Sequence, residues 1–192
     1  MLSQIDKTKI RFLLRNIYAE ENARSWVRLI DTQSMSPVLS GNIFLLIEWS
    51  RSVHDLQVGD LVLFSMKPLD LLVVHRVCQL EIVEGNIKIL QIADEIIAGG
   101  KVSGGWISSE MVFGRVVAIR WGETSTKIIE ITSSLHHFWG KILAATSVIR
   151  WKHDQGASNN LPKLLIGTAI NALHLTATYI DAALLRLSML LT

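Results

Sequence analysis

Between residues 42 and 131 the chain breaks into short runs rich in Val, Ile, Leu and Phe, and this rhythm limits the fold more than any other feature. The runs are Asn42–Trp49, Leu61–Phe64, Leu71–Val77, Ile87–Ile92, Val112–Arg120 and Lys127–Ile131. Turn formers separate them: Ser40-Gly41-Asn42, Gly59-Asp60, Pro68, Glu84-Gly85-Asn86, Gly99-Gly100 and Gly104-Gly105. Short apolar runs with such punctuation, and no long helical pattern between them, predict an antiparallel, partly closed β-domain. The stretch Gly99–Gly105 does not precede a helix, so a mobile loop is expected there rather than a phosphate cradle.

Helical periodicity flanks this block. Ile10, Leu13, Leu14 and Ile17 fall on one face of a helix expected over residues 5–20, with a second short helical piece through Trp26 and Ile30. Ser133 or Ser134 suits the cap of a helix carrying Leu135, Phe138, Ile142, Ala145 and Ile149 on one face. Residues 154–160 read as a loop, and Pro162 opens a last helix. There Ile166, Ile170, Leu173, Ala177, Ile180, Leu184, Leu187 and Leu191 form a stripe, opposite Thr168, Asn171, Thr178, Asp181 and Ser188. The expected class is mainly β, divided into an N-terminal helical segment (1–30), a β-domain (31–132) and a C-terminal helical extension (133–192).

The uncharged stretch Leu164–Ile180 is 17 residues long and contains Asn171, His174 and three threonines. A membrane span needs about 20 mostly apolar residues. The stripe therefore predicts a helix lying on protein, first of all the 135–152 helix or a second copy, with a bilayer surface as the lesser option.

Composition excludes several classes. With 49% apolar and 19% charged residues the chain is globular. A single cysteine, Cys78, leaves no disulfide framework, and its expected place is the core. The net charge is only +2, with basic ends: residues 1–29 carry six basic and three acidic groups, and residues 141–192 five and two. That excess is too small to indicate nucleic acid, while suiting an acidic partner or membrane surface. Met1–Ile30 holds no apolar run long enough for a secretory signal. The adjacent His136 and His137 lack a suitably spaced third metal ligand, and no cofactor is expected.

Two short stretches carry the candidate chemistry. Ser34 lies in Thr32-Gln33-Ser34-Met35-Ser36-Pro37, where Pro37 biases the preceding backbone away from helix. A serine on such a turn meets two requirements of acyl transfer: an exposed oxygen and nearby N–H groups aimed alike. It also needs a base, which an imidazole supplies near neutral pH. His75, in Val73-Val74-His75-Arg76-Val77, is the best candidate. Each residue taken singly fits an ordinary structural role as well.

The boxes also occur in a particular order. Thr32 to Pro37 is followed by Leu39-Ser40-Gly41-Asn42, Val58-Gly59-Asp60-Leu61-Val62-Leu63-Phe64, Val74-His75-Arg76-Val77 and Phe113-Gly114-Arg115-Val116-Val117-Ala118-Ile119. This series resembles the signal peptidase family, whose fold is shared with self-cleaving repressor peptidases. The His-Arg pair is similar to the endoplasmic-reticulum-type branch, which uses serine and histidine, rather than the Ser/Lys bacterial branch. The resemblance implies a signal-peptidase-like β-fold and a serine peptidase that removes a leader or signal segment from a precursor. By position it makes Ser34 the nucleophile and, through its N–H, an oxyanion donor. Thr32 becomes a second oxyanion group, His75 the general base, and Asp94 the carboxylate that orients it, with Glu95 in reserve.

This chain departs from the family pattern at Gln33, where glycine is usual, at Asn42 for aspartate, and at Ala93-Asp94-Glu95 for Gly-Asp-Asn. The family's further aspartate would fall near Gly99-Gly100, and its membrane anchor before the serine is missing. The expected protein is thus a shortened relative in the cytoplasm or peripheral at the membrane. Its expected partners are a peptide or protein precursor and, through the C-terminal helices, a partner protein or membrane surface. The other reading is a binding or scaffold protein that keeps the β-fold without catalysis. Lys67 and Lys88 are the lesser candidates for a base.

Overall fold

The fold was read from a computed structural model, which describes residues 24–29, 35–39, 41–49, 53–66, 71–95, 102–156 and 161–191. The helix expected over 5–20 lies outside them. Among the described residues eight strands make one antiparallel sheet: β1 Arg24–Leu29, β2 Ile43–Trp49, β3 Leu61–Met66, β4 Leu71–Val83, β5 Asn86–Ile92, β6 Gly104–Ser108, β7 Val112–Trp121 and β8 Ile129–Glu130. Their order is β1-β2-β7-β3-β4-β5-β6, with β8 beside β7. Helices α1 (Ser134–Gln155) and α2 (Leu161–Leu191) follow.

The mainly β class is as expected, but the sheet is open rather than partly closed. Closure would require β6 to pair with β1, and among the described residues each has one neighbour, β5 and β2 respectively. Two further expectations are corrected. Trp26 belongs to a strand, not a helical piece, because residues 24–29 pair in register with β2 from Arg24↔Glu48 to Leu29↔Ile43. Its ring is covered by the Arg120 guanidinium, 4.6 Å away. Gly104 and Gly105 lie in β6 rather than a loop. A Cβ on Gly104 would come within 2.8 Å of the Gln91 carbonyl oxygen, so glycine is what lets β6 approach β5.

Alternation along the strands gives the sheet two faces. Leu61, Leu63 and Val74 join Met35, Leu39, Ile43, Leu45 and Ile119 in one core cluster, which Leu143 of α1 and Leu185 of α2 complete. Val62, Phe64, Val77, Ile89 and Val112 form a second cluster. The two strand sets alternate residue by residue, so β4 turns His75 toward the second cluster and Arg76 toward the helices.

α2 packs on α1, as expected, but part of each apolar stripe stays outside. α1 buries His136, Gly140, Leu143, Ala144, Ser147 and Arg150, leaving Leu135, Phe138 and Ile149 outside. α2 buries His174, Ala177, Thr178, Asp181 and Leu185, while Leu173, Ile180 and Leu187 are exposed. The cause is the charge on the sheet. Arg76 is buried on the helix side, and a buried cation needs polar company. Asp181 reaches Arg76 at 3.5 Å, and Thr146 of α1 is hydrogen-bonded to His174 at 2.9 Å. Close backbone contact at two glycines docks α1. A Cβ on Gly140 would meet the Gly59 carbonyl oxygen at 2.7 Å, and Gly59 itself has φ +103°, where side chains are strained.

Candidate active site around His75

β4 holds His75 between β3 and β5, opposite Val62 in the register with β3. The imidazole is 4% exposed. It packs edge-on against Phe64, with ring centroids 5.5 Å apart. Its Nδ1 is hydrogen-bonded to the side-chain oxygen of Gln91 on β5. An amide oxygen only accepts, so Nδ1 carries the proton and Nε2 keeps its lone pair. Burial pulls the His75 pKa below its ordinary value, and the Gln91 bond together with the charges of Asp94 and Glu95 acts in the opposite direction. The ring is therefore neutral at physiological pH, with one nitrogen set as acceptor.

Asp94 takes a different part from that expected. Its carboxylate accepts from Arg76 Nε at 3.1 and 3.0 Å and from Nη2 at 2.6 Å. Arg76 Nη1 donates to the Gly59 carbonyl at 2.9 Å. Burial opposes charge on this guanidinium, yet Asp94, with Asp181 behind it, raises its pKa above the usual arginine value. Asp94 thus acts on His75 through its field, while the hydrogen bond that orients the ring comes from Gln91. Glu95 is buried, and its backbone carbonyl accepts from Arg150 Nη1 at 2.7 Å.

Sequence reasoning missed Gln91. The signal was there: Ile89 and Gln91 share the face of β5 that meets Val77 and His75, and a polar residue at such a position needs a partner.

Ser34 and Thr32 lie outside the described residues. The segment directly after Ser34 is anchored: Met35 and Leu39 are fully buried, Val38 is nearly so, and the Leu39 N–H donates to the Met35 carbonyl at 2.7 Å. Met35 and Val74, the residue before His75, belong to the same core cluster. Of the two lysines, Lys67 lies outside the described residues, and Lys88 is exposed on β5, opposite Glu81 and Ser108.

A cleft opens on the Arg76 side of the sheet, lined among others by Val38, Asp60, Arg76, His136 and Asp181. Burial raises the pKa of Asp60 and lowers that of His136. Among the described residues, no three metal-ligating side chains converge. No protein-family model matches this chain, and no curated protein matches it.

Proposed function

We propose that this chain is a serine endopeptidase of signal-peptidase type, cleaving a leader or signal segment from a peptide or protein precursor. Ser34 is the nucleophile, His75 the general base and Gln91 the residue that positions the base. The observation that carries this reading is the His75–Gln91 hydrogen bond, which supports a proton on Nδ1 and leaves Nε2 as acceptor. His75 stands in the fourth of the five ordered boxes that resemble the family.

In the proposed reaction His75 Nε2 takes the Ser34 hydroxyl proton as the oxygen adds to the scissile carbonyl. The Ser34 N–H and the Thr32 hydroxyl receive the developing oxyanion. The imidazolium then protonates the leaving amine, and an acyl-serine remains. Water, deprotonated by the same imidazole, releases the leader and frees Ser34. Gln91 carries no charge, so stabilisation of the imidazolium falls to Asp94 and Glu95 acting through space. The test is incubation with candidate precursors, including any encoded beside the gene. A defined cut that Ser34→Ala and His75→Ala both abolish supports the reading.

The scaffold reading keeps one observation in its favour. Asp94 is committed to Arg76, and His75 is 4% exposed. Binding of a precursor without any cut would favour it.

A further inference from the structure

We propose that the outer faces of α1 and α2 form a docking surface for an anionic lipid bilayer, the two helices lying in its headgroup plane. This is independent of the peptidase reading.

The first support is the apolar surface that the two helices leave exposed. Eight of the thirteen large exposed hydrophobic side chains among the described residues lie on these two helices. They are ordered, not scattered. On α1, Leu135, Phe138 and Ile149 follow helical spacing together with half-buried Ile142 and exposed Ala145. On α2, Leu173, Ile180 and Leu187 recur every seven residues, with Leu190 70% exposed at the far end. From Ala169 to Leu190 this edge runs about 30 Å at 1.5 Å per residue. Isolated exposed apolar residues need no explanation, but a continuous stripe does.

Charge selects the occupant. The exposed charged residues described on the two helices are Lys141, Lys152 and Arg186. The two carboxylates there are not fully exposed: Asp181 is buried and Asp154 half-buried, accepting from the Val102 N–H at 3.1 Å. A second copy related by a twofold would set this cationic, carboxylate-free face against itself. An anionic bilayer supplies the opposite charge at the rim and an apolar layer beneath. Phe138 and Tyr179, 57% and 59% exposed, add aromatic rings to the outer faces. Among the described residues no helix is long and apolar enough to cross a membrane.

The test is co-sedimentation of the full chain with phosphatidylcholine vesicles and with mixed phosphatidylcholine–phosphatidylserine vesicles, at low and high salt. The expected result is binding to the mixed vesicles that weakens at least about tenfold in their neutral counterparts or in high salt. The pair Leu173→Glu and Ile180→Glu alters only exposed positions, so the fold should persist, verified by circular dichroism and an unchanged Tm. It should lose binding by about tenfold or more. Lys141→Glu with Lys152→Glu should remove the preference for the anionic lipid. Equal binding to both vesicle types, or none at low salt, overturns the proposal. So does a concentration-dependent dimer that the Leu173→Glu/Ile180→Glu pair abolishes while vesicles stay unbound; that outcome assigns the face to a second copy.

Discussion

His75 and Gln91 lie diagonally across the neighbouring strands β4 and β5, Gln91 standing opposite Val77 in the register, and the Gln91 amide oxygen accepts from His75 Nδ1. A neutral amide thus occupies the orienting position for which a carboxylate was expected. Removing it should free the ring to rotate. Gln91→Ala is predicted to lower kcat about 10- to 100-fold with little change in KM. Gln91→Glu keeps a partner but adds a charge, which favours the imidazolium. The acid limb of its pH–rate profile should then move to higher pH than that of the parent, whose limb should fall below the ordinary histidine range because burial lowers the His75 pKa. A Gln91→Ala enzyme within twofold of the parent, with an unmoved limb in Gln91→Glu, would mean that the amide does not position His75.

Arg76 and Asp94 form a buried pair, both nearly excluded from solvent, with hydrogen bonds of 2.6–3.1 Å. Its value lies in not being broken: removing Asp94 leaves buried Arg76 with the longer 3.5 Å contact to Asp181 alone, and breaking a buried pair costs about 3–5 kcal/mol. For a chain of this size each kcal/mol lowers Tm by about 2–4 °C. Asp94→Ala should therefore melt roughly 6–20 °C below the parent. Activity assayed well below that Tm separates the structural loss from any catalytic one. A shift of under about 2 °C would show that Asp94 is not structurally essential.

Much of this arrangement was legible in the residues, and the failures share a cause. Strands β2 to β5, β7 and β8 follow from short runs rich in Val, Ile, Leu and Phe between turn residues, and α1 and α2 from helical spacing with Ser133 and Pro162 at their starts. β1 was hidden because Trp26, Val27 and Ile30 fit a helical period as readily as a strand; its pairing with β2 decides the matter. β6 was hidden because its glycines serve close approach, not a turn. Which side of each helix meets the sheet depends on contacts between distant residues. Apolar stripes normally turn inward, but buried Arg76 draws Asp181 toward itself, and the helix follows its polar side.

Asp181 should make stability depend on pH. Burial raises its pKa to about 6, against the pull of Arg76. A carboxyl whose pKa is higher in the folded than in the unfolded state favours folding while protonated. That contribution is whole below about pH 4 and is lost as pH rises through about 6. Asp181→Asn removes the cost of the buried charge, and Arg76 retains Asp94. Chemical denaturation should find Asp181→Asn more stable than the parent at pH 7.5, by about 1–3 kcal/mol, with the gap closing toward pH 5. A less stable variant at pH 7.5 would contradict this and make the 3.5 Å contact with Arg76 the stronger effect.

The Gly59–Gly140 contact predicts that a helix-favouring substitution will destabilise. Gly to Ala inside a helix ordinarily gains about 1 kcal/mol. Here the added methyl would sit 2.7 Å from the Gly59 carbonyl oxygen and 3.1 Å from Arg76 Nη1. Overpacking of that kind costs about 1–3 kcal/mol, and it also strains the Gly59 bond to Arg76. Thermal melts should place Gly140→Ala below the parent; a variant that melts higher would show that α1 can shift without penalty.

The central claim is that Ser34 and His75 act together on a peptide bond. The most direct measurement is mass spectrometry over time on candidate precursors incubated with the purified parent, Ser34→Ala and His75→Ala. The account predicts a single defined cut by the parent and none by either variant, each variant remaining folded by circular dichroism. A cut at the same bond by both folded variants would contradict it.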